Sequence, residues 1–170
     1  MCRGGTICFE MAGYRKMSDE QLLADCRVEA FRGPGPGGQK RNKTSSAIRL
    51  THRPSGLSAI STEFRSQDRN RRSALARLRH KIALLEREEV ALAKLPEAKI
   101  MEVPRRSGDY ISAMGKVLDV LDYAGWSVSE AAKLRGVSTG RLVSFLRADG
   151  PLFAEVNRRR KEKGLRGLNS

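Results

Sequence analysis

Two hydrophobic periods divide the chain. Around residues 45–52, Ala47, Arg49 and Thr51 alternate with Ile48 and Leu50, a period of two that predicts a half-buried strand. The segment Arg-Val-Glu-Ala-Phe-Arg at 27–32 alternates in the same way. Arg53-Pro54-Ser55-Gly56 supplies Pro and Gly where a hairpin reverses, and residues 57–64 return as a third, weakly alternating strand. Ahead of them, Ser18 and Gln21 stand at capping-box spacing, which predicts a short helix over 18–26 with Leu22 and Leu23 inward. The same spacing directly after Met17 marks Met17 as a candidate translation start and residues 1–17 as a poorly ordered segment.

From Asp68 to about Leu95 the period becomes helical. Leu75, Leu78, Ile82 and Leu85 recur at steps of three and four, while Arg71, Arg72, Arg77 and Arg79 fall on other faces, so one long helix covers one side of the sheet. Pro96 and Pro104 bracket a linker. Farther on, Ile111, Met114, Val117, Leu118 and Leu121 form an apolar helix face that Gly125 stops. Two short helices follow, with Ala131 and Leu134 inward on the first and, after a turn at Gly136-Val137, Leu142 and Leu146 inward on a second that Ser138 caps. The predicted class is α+β: a small, mainly antiparallel sheet packed by a long helix, followed by an all-α, helix-turn-helix-like extension. The expected division is 18–95 for the sheet domain, 96–106 for a linker, 107–154 for the extension and 155–170 for a basic tail.

Charge adds a partner class. The 170 residues hold 33 Lys or Arg against 19 Asp or Glu, a net charge of +14. A sequence pI near 10.4 accompanies it, and together these point to a polyanion, most economically nucleic acid. The longest apolar stretches fall short of the ~18 residues a membrane-spanning helix needs, so no membrane partner is expected. Cys2, Cys8 and Cys26 show no paired spacing, which supports neither a disulfide framework nor a metal site and fits a reducing cytoplasm. No cofactor is expected.

The Gly/Pro-rich run at 33–38 ends in Gln39 and passes into Lys40, Arg41 and Lys43. As a phosphate cradle it fails on spacing, because Gly38 is followed by Gln39 before Lys40, and Lys43-Thr44 follows Asn42. As a dinucleotide fingerprint it also fails, because the run leads to a strand and not to a crossover helix. His52 reads as a hairpin residue, not a proton shuttle.

Gly37-Gly38-Gln39, Asn42-Lys43-Thr44, the hairpin Thr51-His52-Arg53-Pro54-Ser55-Gly56 and Arg65-Ser66-Gln67 occur together and in order. Over about 26–95 the chain thereby resembles the catalytic domain of class-I peptide chain release factors and the related codon-independent peptidyl-tRNA hydrolases that rescue stalled ribosomes. The resemblance implies that Gln39 enters the peptidyl transferase centre of the large subunit and promotes attack of water on the peptidyl-tRNA ester. Gly37 and Gly38 allow the close backbone approach this requires. A fixed N–H donor at a developing oxyanion contributes about 2.7–4 kcal/mol to such a reaction. The resemblance further implies that Arg32, Lys40, Arg41, Lys43, Arg49, Arg65 and Gln67 contact ribosomal and transfer RNA. In rescue hydrolases a basic tail enters the vacant messenger channel, a part that Arg158, Arg159, Arg160, Lys161, Lys163 and Arg166 would play here. The ribosome, peptidyl-tRNA and ribosomal RNA are the expected partners of a monomer. The alternative is a binding module for ribosomal or structured RNA without hydrolase activity, or a helix-turn-helix regulator. "STGRLVSFLRAD" at 138–149 offers little beyond Arg141 and Arg147 to read bases, so a packing role for the extension is preferred.

Overall fold

The computed structural model of the protein describes residues 13–32, 46–88 and 98–169. They belong to two compact units, residues up to Ile82 and residues from Ala83 onward.

In the first unit, a 3-10 turn at Tyr14–Lys16 precedes helix α1, Asp19–Ala24. Most of the expected 1–17 segment lies outside the described residues. The expected capping box forms: Ser18 Oγ accepts from the Gln21 N–H, and the Ser18 N–H donates to Gln21 Oε1. Such a cap stabilises a helix end by ~1 kcal/mol. Leu22 is fully buried beneath it, whereas Leu23 is only half-buried.

Three strands follow in spatial order β1 (Cys26–Phe31), β2 (Ala47–His52) and β3 (Ser58–Ser61), all antiparallel. Cys26 faces His52 at one end of the β1–β2 ladder, and Phe31 faces Ala47 at the other. The third strand is shorter than expected, because after Ser61 the chain turns toward the next helix. The 53–57 reversal is tied at both ends, with the His52 N–H donating to Leu57 O and the Gly56 N–H to His52 O, each at 2.8 Å. Gly56 sits at φ +68°, where a side chain is strained.

Helix α2, Gln67–Leu85, covers one face of this sheet. Ala74, Leu75, Leu78 and Ile82 pack with Leu22, Cys26, Ile48, Leu50 and Ala59. Leu85, expected inward, is instead 39% exposed. It stands on the last turn of α2, beyond the residues that join the sheet cluster, while Ala83 and Leu84 belong to the core of the second unit. The helix ends well short of Leu95; residues 89–97 lie outside the described ones. From its outer turns, Arg77 donates to Ile60 O and Lys81 to Ser58 O, both at 2.6 Å.

The second unit is helical: a 3-10 turn at Ala98–Glu102, then α3 (Tyr110–Tyr123), α4 (Val128–Leu134), α5 (Thr139–Arg147) and α6 (Gly150–Glu162). Ser127, Ser138 and Asp149 cap the last three helices through side-chain oxygens that accept from Glu130, Arg141 and Leu152 N–H groups. The expected helix-turn-helix is present as α4 and α5, turning at Gly136 with φ +62°. Met114, Val117, Leu118, Leu121, Leu142 and Leu146 are buried as expected; Ile111 and Leu134 are half-buried. Leu152 and Val156, one turn apart on α6, complete the core.

Trp126 organises this unit. It follows Gly125 with a left-handed φ of +65°, and its ring is buried while its Nε1–H donates to Asp122 Oδ1 at 2.9 Å. The guanidinium carbons of Arg87 and Arg159 lie 5.5 and 5.9 Å from its ring centroids. Arg160 donates to its carbonyl at 2.6 Å. Among the described residues no helix is long and apolar enough to cross a membrane.

Candidate catalytic-loop stem and nucleic-acid interface

The residues expected to do chemistry, Gly37, Gly38 and Gln39, and their basic neighbours Lys40, Arg41 and Lys43, lie outside the described residues. The described residues form the stem on either side of them. Arg32 is exposed directly after the Phe31–Ala47 pair that ends the ladder, and Ser46 directly precedes that pair. Two strands of one sheet therefore hold both ends of the 33–45 segment.

Arg49 points from the sheet face opposite α2. Its guanidinium lies 5.4 Å from the Phe31 ring centroid and 3.9 Å from Glu29 Oε2. Glu29 also pairs with Arg27 at 3.0 Å. Exposed ion pairs of this kind contribute about 0–1 kcal/mol, so they orient the arginines more than they stabilise the fold. Arg65 and Gln67 are exposed where α2 begins, beside exposed Arg69, Arg71 and Arg72. Arg69 lies 5.6 Å over the Phe64 ring, and Arg72 pairs with Asp68. The bases expected to meet RNA from this unit, where described, thus face solvent.

The hairpin motif has a structural explanation. His52 is fully buried, with Nδ1 2.7 Å from Ser55 Oγ and its ring edge-on to Tyr14 at 4.5 Å. Its Nε2 has no hydrogen-bond partner among the described residues. Burial pushes its pKa below the ordinary value, against a weaker opposing pull from Asp25, so the ring is neutral near pH 7. Arg53 reaches back to the Ala24 and Cys26 carbonyls at 3.4 Å, fastening the reversal to the start of β1. Cys26 donates its thiol hydrogen to Leu22 O, and burial raises its pKa, which suits a packing thiol and not a nucleophile.

Asn70 is the residue that pattern reading passes over. It is fully buried on α2 and fills all four hydrogen-bonding positions of its amide. Oδ1 accepts from Ser61 Oγ at 3.0 Å and from the Phe64 N–H at 2.9 Å. Nδ2 donates to Ser46 O at 2.6 Å and to Phe64 O at 2.7 Å. The signal for it is an amide standing in step with the inward residues Ala74 and Leu78.

Residues 20–109, more than half of the chain, match the family described as the RF-1 domain. The protein belongs to that family, the catalytic domain of class-I release factors. Its RF-1 domain spans the sheet, the stem and α2, and membership gives it a release-factor-like function in translation termination, acting on the ribosome and peptidyl-tRNA.

Beyond the RF-1 domain match, the expected tail residues occupy a different setting. Residues 155–162 continue α6. Arg158 pairs with Glu155 and Glu162, and Arg159 pairs with Glu155 at 2.9 Å. Burial alone would raise the Glu155 pKa, but hydrogen bonds from Arg158 and Arg159 hold it below the ordinary carboxylate value. Arg160 donates to Arg166 O as well as to Trp126 O, and burial lowers its pKa. Lys161 is exposed. After Gly164, at φ +71°, the chain folds back so that the Leu168 N–H donates to Asn157 Oδ1 and Asn157 Nδ2 donates to Leu168 O. Among the described residues, no group of His, Cys, Asp and Glu is arranged to hold a metal ion.

Proposed function

We propose that the protein is a ribosome-dependent, stop-codon-independent peptidyl-tRNA hydrolase. The observation that carries the reading is the RF-1 domain match over residues 20–109 together with Gly37-Gly38-Gln39 lying between β1 and β2. Gln39 promotes attack of water on the ester, its backbone N–H facing the oxygen on which charge develops, and water is the nucleophile. Arg32, Lys40, Arg41, Lys43, Arg49, Arg65 and Gln67 hold the domain on RNA. The stop-codon-independent part of the reading rests on the likeness of the Gly37-Gly38-Gln39 region to the codon-independent rescue hydrolases. Arg158, Arg159 and Arg160 are engaged with Glu155, Glu162 and carbonyls of their own unit. Arg158 and Lys161 are the exposed residues of that basic run, and both are offered to messenger-channel RNA. The protein works as a cytoplasmic monomer, and the helical extension from residue 107 serves as a packing module that carries the basic run.

The deciding experiment is release of labelled peptide from ribosomes stalled on a messenger without a stop codon, in parallel with isolated large subunits carrying peptidyl-tRNA. Release by the wild type, slowed about 100–1,000-fold in Gln39→Ala, is expected. Binding without release by the wild type would make the protein an RNA-binding module instead.

A further inference from the structure

Ser46 O lies one residue outside the last pair of the β1–β2 ladder and two residues beyond the Ile48–Ser61 pair that ends the β2–β3 ladder. A backbone carbonyl in that position needs another donor or water. Asn70 supplies the donor from α2, 24 residues along the chain. With its other three bonds it gathers the side chain at the end of β3 and both backbone groups of Phe64. The amide can sit only one way round, because Phe64 presents an N–H on one side and a C=O on the other, and Ser46 presents a second C=O. Among side chains of this length, Asn alone offers two donors and two acceptors.

We propose that Asn70 is a positioning residue for peptide release, acting through the carbonyl of Ser46; the inference rests on the hydrolase reading above. The β1–β2 ladder fixes the stem up to Phe31 and Ala47, and Asn70 extends that fixation one residue toward Gln39 from a helix locked into the core by Ala74 and Leu78. The bonds to Ser61 and Phe64 order the approach to α2; the bond to Ser46 leads to the catalytic segment. Misplacing a reacting group by an ångström costs up to about 100-fold in rate, so loss of this one bond should be read in turnover and not in binding.

The test compares peptide release by wild type, Asn70→Asp, Asn70→Ser, Ser61→Ala and Leu75→Ala over a range of protein concentrations, at a temperature where circular dichroism shows each folded. Asp keeps the shape and both acceptors but sets oxygen against the Ser46 and Phe64 carbonyls. Asn70→Ser is the milder variant should Asp unfold the domain. Both are expected to lower the maximal release rate by about 10–100-fold with the half-saturating concentration unchanged. Ser61→Ala, which leaves the Ser46 bond in place, and Leu75→Ala, which only thins the core, should keep the maximal rate. Equal maximal rates in the Asn70 and Leu75 variants, or a change confined to half-saturation, would overturn the proposal. Should the wild type release no peptide, the hydrolase reading fails while the anchoring is still tested by amide exchange. Residues 46–52 should exchange faster in Asn70→Ser than in Leu75→Ala, and equal exchange would refute the anchor.

Discussion

In the sheet unit, Arg32, Arg65 and Arg71 stand in solvent around the stem and the start of α2, whereas in the helical unit Arg87, Arg159 and Arg160 lie against Trp126 and its carbonyl. The same side chain serves two physical ends. An exposed guanidinium keeps its hydration and its field for a polyanion; one packed on an indole gives up part of both to hold helices together. Arg87 shows the cost, since burial lowers its pKa to about 10 despite the nearby Asp119 carboxylate. It remains charged at neutral pH and donates to the carbonyls of Ala83, Leu84 and Glu86, closing the end of α2.

The largest effect should come from removing what the inward arginines pack on. Trp126→Ala is expected to destabilise the helical unit by about 3–5 kcal/mol, read from urea unfolding followed by circular dichroism. A loss below ~1 kcal/mol would show that the arginines, and not the ring, carry the packing. Next is Gln39→Ala, expected to slow peptide release about 100–1,000-fold with large-subunit association retained. Equal loss of binding would merge catalysis with docking in the sheet unit.

A paired measurement sharpens the contrast between the two arginine populations. Arg65→Ala should leave the melting temperature unchanged and reduce the slope of log affinity against log salt for ribosomal RNA by about 0.7–0.9. Arg159→Ala should do the reverse, costing about 1.5–3 kcal/mol of stability through its charged hydrogen bond to Glu155, with the salt slope intact. A salt-slope change in Arg159→Ala would place that arginine on the RNA.

The smallest effect is one of pH. The folded pKa of His52 lies below the unfolded value near 6.5, so the unfolded chain takes up the proton first as pH falls. The stability contribution of the neutral ring is complete above that value and declines below it. The melting temperature of the wild type should drop between pH 7.5 and 5.5 by more than that of His52→Gln. Parallel profiles would assign the acid sensitivity elsewhere.

Much of this architecture is written in local chemistry that a sequence displays. The Ser18–Gln21 cap, the alternation through Ala47–His52 and the Pro54–Gly56 reversal depend on neighbours in the chain, and they form as expected. Leu85 and the tail arginines depend on what lies opposite them in space. A run of Arg158, Arg159, Arg160 and Lys161 has the charge density of a solvated tail, yet Glu155 and Glu162 stand at helical spacing on either side of it, and Leu152 and Val156 supply a buried stripe. Helical periodicity outweighs charge density there. Asn70 escapes for a similar reason, since the two carbonyls that need it lie 24 and six residues away and only the fold brings them together.

The cationic side chains that α2 lays on the carbonyls of Ser58 and Ile60 have a further effect. β3 is the outer strand on that side of the sheet, and its outward carbonyls would otherwise invite the backbone of another chain to add a fourth strand. Arg77, itself paired with Glu63, and Lys81 occupy those acceptors, so another backbone can pair there only by displacing them. Side chains that make the protein basic for its polyanion thereby also guard a border where a short, small-residue strand would let copies of the chain zip together.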